Sequence, residues 1–167
     1  MSSPQSARIG TSSDRTTVVA RLTSDRPSMP YLIDTNVISE LRKGERADTG
    51  VTSWFADLAE GDVYLSVVTL GEIRRGIESI RHRDPKGGAA LESWLGRVSE
   101  VHHDRVLPIN RSIAEEWGRM NVPDPLPVVD GLLAATARVM GLTVATRNSD
   151  DFARTGVSIV DPFRASA

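Results

Sequence analysis

Cysteine is absent from all 167 residues. A disulfide framework and a thiolate zinc site are therefore excluded. The absence fits a reducing compartment, and the cytoplasm is the expected location. Basic charge is not in excess either. The chain carries 20 Lys and Arg against 22 Asp and Glu, with a sequence pI near 5.9. No global positive field advertises a nucleic-acid partner, although a local basic patch stays open, because a field depends on where its charges lie. Long hydrophobic runs are also missing, so no membrane span of about 20 residues is expected. The histidines, at 82, 102 and 103, lie in polar stretches and are expected to be exposed rather than catalytic.

What is present divides into two parts. Residues 1–29 are rich in Ser, Thr and Arg, and their longest apolar run is Val18-Val19-Ala20. That run is too short for a signal-peptide core. Such a segment buries too little apolar surface to offset its ordering entropy, so a disordered extension is expected, with Met29 as a candidate native start. A mitochondrial-type presequence is the alternative reading of its Arg and Ser content. The segment holds four Arg and two Asp, a balance of +2, which leaves −4 on the rest. Residues 30–167 suit one domain with a core of its own.

From residue 30, strand-like and helix-like stretches alternate. Tyr31–Ile33 is an apolar run suited to a strand buried on both faces. Val51, Trp54, Phe55 and Leu58 recur at helical spacing, and Gly61 is expected to close that helix. "VYLSVV" at 63–68 is β-branched and reads as a second strand. "TLGEIRRGIESIRHR" at 69–83 reads as a helix with Thr69 as N-cap and Glu72 three residues on, a capping box. Pro85, Gly87 and Gly88 are expected to break it. Leu91, Trp94, Leu95 and Val98 suggest another helix, "RVLPI" a strand, and Ile113, Trp117 and Met120 a helix to about 122. "PDPLP" at 123–127 is a rigid turn. "VVDGLLAATARVM" is helical and ends at Gly141. "LTVAT" at 142–146 and "VSIV" at 157–160 read as the last strands. Such alternation implies βαβ units and a mainly parallel sheet, whose ligands gather at the carboxyl ends of the strands.

Acidic residues recur at those ends. Asp34 closes the first strand, Glu72 lies early in the helix after the second, Asp130 opens the helix after the proline turn, and Asp150 and Asp151 follow "VATRN". Each has a plain structural explanation. Asp34 and Asp150 suit helix caps, Glu72 a capping-box partner, and Asp130 the positive end of a helix dipole. Their joint appearance at corresponding ends of βα units asks for more. Clustered carboxylates raise one another's pKa unless a cation neutralises them. Oxygen ligands without Cys or a His set suit Mg²⁺ or Mn²⁺. Such an ion activates water and stabilises charge on a phosphodiester.

Four segments carry a resemblance: "YLIDTNVISEL", "YLSVVTLGEIRRGIE", "LPVVDGLLAATA" and "TVATRNSDDFARTGVSIVDPF". In this order they resemble the motifs of PIN-domain proteins, above all ribonuclease toxins of the VapC and FitB type. The likeness spans about Pro30 to Phe163. It implies a three-layer α/β/α fold with a mainly parallel sheet, and a metal-dependent endoribonuclease that is the toxin of a type II toxin–antitoxin pair. It further implies a small antitoxin partner and homodimerisation. It assigns Asp34, Glu72 and Asp130 as metal ligands. The fourth motif departs, because many relatives carry Asp where this chain has Asn148. Asn ligates through its carbonyl oxygen but brings no charge. Asp150, or failing it Asp151, is the candidate to reach in through a water.

Basic residues surround these motifs. Arg42, Lys43, Arg74 and Arg147 are candidate RNA-phosphate contacts, against the plainer reading of solvated helix faces with local ion pairs. Trp54, Trp94 and Trp117 sit among apolar residues at helical spacing, which suits packing better than base stacking. Two rival functions remain. A non-catalytic PIN-like binding module would suit Asn148. A haloacid-dehalogenase-like phosphatase wants a second Asp two residues after Asp34, where this chain has Asn36.

Overall fold

The computed structural model describes residues 29–164. The N-terminal extension expected to be disordered is residues 1–29, of which 1–28 lie outside that range. Among the described residues five parallel strands form one sheet: β1 Tyr31–Ile33, β2 Val63–Ser66, β3 Val106–Leu107, β4 Thr143–Ala145 and β5 Ile159–Val160. Their order across the sheet is β3-β2-β1-β4-β5. The chain thus leaves β1 toward one edge, through β2 to β3, and returns to β4 on the opposite side of β1. The crevice between β1 and β4 is the topological switch point, where open α/β sheets place their ligands.

Among the described residues seven α-helices flank the sheet: α1 Thr35–Leu41, α2 Thr49–Ala56, α3 Val67–Arg81, α4 Pro85–Val101, α5 Arg111–Met120, α6 Val128–Met140 and α7 Ser149–Ala153. Strand residues alternate between two cores, as a period of two requires. Ile33, Leu65 and Ala145 join Val37, Val51, Ile73, Ile77 and Leu95 on one face. Leu32 and Val144 join Leu133, Ala134, Ala137 and Phe152 on the other. This is the expected three-layer arrangement. Trp54 packs edge-on against Tyr31, with ring centroids 5.1 Å apart. No helix among the described residues is long and apolar enough to cross a membrane.

Four local expectations are corrected. β2 ends at Ser66, whose side chain accepts the Val68 amide, so α3 begins at Val67 rather than Thr69. Thr69 is fully buried inside the helix, and Glu72 stands in its second turn, so the capping box does not form. The β-branched pair Val67-Val68 looks like strand, but a serine able to cap outweighs that weak preference. Gly61 does not close α2, which already ends at Ala56. Pro85 starts a helix: Asp84 caps α4 and Pro85 takes its first position, where a missing N–H costs nothing. Gly88 fits there because a Cβ would lie 2.9 Å from the Arg81 Cα and Cβ, so α3 and α4 approach closely at this turn. Finally, His102 is buried at 8% exposure, and burial lowers its pKa, in contrast to the exposed position expected.

Candidate active site

Asp34 follows the last residue of β1 and is 4% exposed. One carboxylate oxygen, Oδ1, accepts the Thr35 amide at 2.6 Å and so caps α1. The other, Oδ2, accepts Asn36 Nδ2 at 2.6 Å and the Thr146 hydroxyl at 2.7 Å. Thr146 sits just beyond β4, directly across the switch-point crevice, and is fully buried. Its oxygen also accepts Asn36 Nδ2 at 3.2 Å and the Asn148 amide at 3.0 Å. The Arg147 amide donates to Asn36 Oδ1 at 3.1 Å. The first and fourth motifs therefore meet in one network around Asp34. Capping accounts for only one of the three hydrogen bonds it accepts.

Glu72 reaches the same network from α3. Its Oε2 accepts the Thr35 hydroxyl at 2.6 Å, and its Oε1 lies 3.8 Å from the exposed Arg75 guanidinium. Asp130 is half-buried in the first turn of α6 and accepts no hydrogen bond among the described residues. Beside it, Gly131 makes room for the Trp117 ring, which would stand 3.0 Å from an added Cβ. Helix N-termini usually lower a carboxyl pKa. Here the Asp130 carboxyl is pushed up to about 6, first by burial, then by the negative charges of Asp34, Asp151 and Glu72. A mere complement to the helix dipole would shift the other way. Asp34 is raised as well: burial dominates and Glu72 adds to it, while the bonds from Thr146, Thr35 and Asn36 oppose.

The remaining predicted residues fall into two groups. Asn148 is exposed at the start of α7, with no side-chain capping bond. Asp150 and Asp151 are exposed in the same first turn, and the charge that reaches Asp130 from there is that of Asp151. Among the basic candidates, Lys43 pairs with Glu40 at 2.6 Å and Arg147 lies 3.9 Å from the same carboxylate. Arg74 is held by Glu92 and Glu78 on the α3–α4 side. Arg42, with its guanidinium carbon 5.9 Å from the Trp94 ring, lines a cleft of about 180 Å³ with Thr35, Ser39, Glu72 and Ile73. Sequence reasoning passed over Thr146, whose only signal is a hydroxyl at the carboxyl end of a buried strand.

The donors match a hard divalent cation in kind: all are oxygens, and their carboxylates repel one another through a partly buried space. Among the described residues no three His, Asp or Glu side chains are grouped as they stand so that they could hold a metal ion. Asp34 and Glu72 instead spend their oxygens on local hydroxyl and amide donors.

A PIN domain profile matches residues 31–157, and the chain belongs to the PIN-domain family. It is 30% identical over 137 residues to toxin FitB of Neisseria gonorrhoeae, covering 79% of this chain and 97% of that one. A second relative is the VapC ribonuclease Y4jK of Sinorhizobium fredii, 34% identical over 140 residues, with 79% and 96% covered. The fold is also that of a chain in the crystal structure of FitAcB from Neisseria gonorrhoeae, with a TM-score of 0.74, 30% identity, and coverage of 80% and 99%.

Proposed function

We propose that this chain is a Mg²⁺- or Mn²⁺-dependent endoribonuclease, the toxin of a toxin–antitoxin pair acting in the cytoplasm. The carrying observation is the convergence of Asp34, Glu72 and Asp130, from three separate elements, on one crevice: Asp130 feels the charges of Asp34 and Glu72, and Asp34 feels that of Glu72. The names of relatives support the reaction class: a VapC ribonuclease, and a tRNA(fMet)-specific endonuclease of Shigella flexneri that is 27% identical over 129 residues. Solved relatives in toxin–antitoxin complexes support a small antitoxin as partner and an oligomeric assembly, which we read as a homodimer. Membership of the PIN family sets the phosphatase alternative aside.

Asp34, Glu72 and Asp130 would hold the cation, with Asn148, Asp150 or Asp151 completing the set. When bound, the ion supplies Lewis acidity and a water of lowered pKa. The chain's own part is positioning. Thr146, Asn36 and the Thr35 amide fix the Asp34 carboxylate, and the Thr35 hydroxyl fixes Glu72. Burial and the charges of Asp34, Asp151 and Glu72 push the Asp130 carboxyl up to about 6, a repulsion that a bound cation would relieve. Arg42 and Lys43 would meet RNA phosphates around the crevice, whereas Arg74 is engaged by Glu92 and Glu78 and Arg147 by Phe163 and Glu40.

The test is cleavage of single-stranded RNA by the purified chain in Mn²⁺ and in EDTA, with Asp34→Asn as control. Metal-dependent cleavage lost in the variant is expected. A folded wild type that binds RNA without cutting it would favour the non-catalytic module.

A further inference from the structure

Arg147 is the residue between two site groups, Thr146 and Asn148, and its side chain is tied elsewhere. The guanidinium carbon lies 3.6 Å from the centre of the Phe163 ring, a stacked cation–π contact. One terminal nitrogen lies 3.9 Å from Glu40 Oε2. Both anchors are themselves held. Glu40 is buried at the end of α1 and accepts Lys43 Nζ at 2.6 Å and the Asp48 amide at 3.0 Å. Phe163 packs on the core face that holds Ile33 and Ala145, and its amide donates to Asp161 Oδ1 at 3.0 Å. What lies between these anchors is the turn after β4. Its two amides, from Arg147 and Asn148, bond Asn36 and Thr146, the groups that grip Asp34.

We infer that Arg147 is a positioning residue: stacked on Phe163 and drawn toward Glu40, it holds the turn after β4 so that Thr146 and Asn36 stay on Asp34. One face of the guanidinium is covered by Phe163, which leaves it poorly placed to serve chiefly as a phosphate clamp. A planar, weakly hydrated cation is required, since an ammonium stacks less well on a ring. The kinetic consequence rests on the ribonuclease reading above. The structural consequence does not.

The experiment compares Phe163→Leu, Arg147→Ala, Arg147→Lys and the double variant Phe163→Leu/Arg147→Ala, each checked for a cooperative melt. Two readouts are taken: amide hydrogen exchange of residues 146–149, and kcat and KM on an RNA oligonucleotide across a salt series. Phe163→Leu is expected to speed exchange at the Arg147 and Asn148 amides about tenfold. It is expected to lower kcat about tenfold with KM within about twofold, and Arg147→Ala to do the same. The double variant should fall no further than either single change, because both break one contact. Arg147→Lys should fail to rescue. The inference is overturned if Phe163→Leu leaves exchange and kcat unchanged. It is equally overturned if Arg147→Ala raises KM alone and flattens the salt slope while Arg147→Lys restores both, the behaviour of a phosphate contact. If the wild type cuts no RNA, the ribonuclease reading fails, and the exchange data alone decide the role of Arg147.

Discussion

Asp34 and Asp130 bear the same carboxyl group a few residues from the same crevice, and the protein treats them in opposite ways. Asp34 is almost fully buried and accepts three hydrogen bonds from Thr35, Asn36 and Thr146. Asp130 is half-buried, accepts none among the described residues, and faces the negative charge of Asp34, Asp151 and Glu72. The first is a carboxylate fixed by protein donors. The second is a carboxylate whose charge the protein leaves without a donor. A stability-driven fold would not keep the second, because an unmatched charge near others costs free energy. A cation site would keep both, one for geometry and one for affinity.

The largest contrast should come from the amide substitutions. Asp34→Asn is expected to bring RNA cleavage to background and also to lower stability by about 1–3 kcal/mol in EDTA, because its NH₂ faces donors on Asn36 and Thr146. Asp130→Asn is expected to remove activity equally, yet to raise the melting temperature in EDTA at neutral pH. Equal stability effects in the two variants would erase the distinction between the sites.

Thr146→Val sharpens the comparison from the other side. It keeps the shape, removes one donor from Asp34, and leaves Asn36 Nδ2 and the Asn148 amide without their shared acceptor. A loss of about 1–3 kcal/mol in denaturant unfolding is expected. A neutral result would mean that water replaces the hydroxyl and that the network is not what fixes Asp34.

The pH dependence follows from Asp130. Its folded pKa, near 6, lies above the ordinary carboxyl value of 3.8. Between those values the folded state holds a proton that the unfolded state has released, so stability falls as pH rises from about 4 to 6 and levels off above. After discounting for partial exposure, the drop is about 1 kcal/mol in EDTA. Asp34, shifted in the same direction, adds to it. Asp130→Asn should flatten much of this slope, as read from melts at a series of pH values. An unchanged slope would remove Asp130 as its source.

Much of this was legible beforehand, and the reasons for the gaps are specific. Leu32 and Ile33 announce a strand buried on both faces, and an acidic residue after such a strand is visible without coordinates. The start of α3 was missed because Val67 and Val68 favour strand locally while Ser66, one residue earlier, supplies the cap. The break expected before Pro85 is there, since α3 ends at Arg81, but Pro85 also opens α4, because proline suits the first turn of a helix. Arg74 pairs with Glu92, 18 residues away on α4, a contact no helical periodicity reveals. Thr146 stayed hidden because a buried threonine in a β-branched run looks like packing until Asp34 is seen across the crevice.

A smaller effect concerns the fourth motif. Asn148→Asp adds a charge at the start of α7, on the turn that bonds Thr146. Tighter Mn²⁺ binding by calorimetry and a further rise of the Asp130 pKa are expected. If affinity is untouched while Asp151→Ala or Asp150→Ala abolishes it, the fourth ligand lies on α7 itself.

The most direct test of the account is a Mn²⁺ titration followed by melting temperature, on the wild type and Asp130→Asn at pH 7.5. Binding to the folded state alone stabilises it by RT ln(1 + [L]/Kd), about 2.7 kcal/mol at a hundredfold excess over Kd. The wild type is expected to start lower in EDTA and climb with Mn²⁺, whereas Asp130→Asn starts higher and stays flat. A wild type indifferent to Mn²⁺, or a variant that climbs alongside it, would contradict a cation site built on Asp34, Glu72 and Asp130.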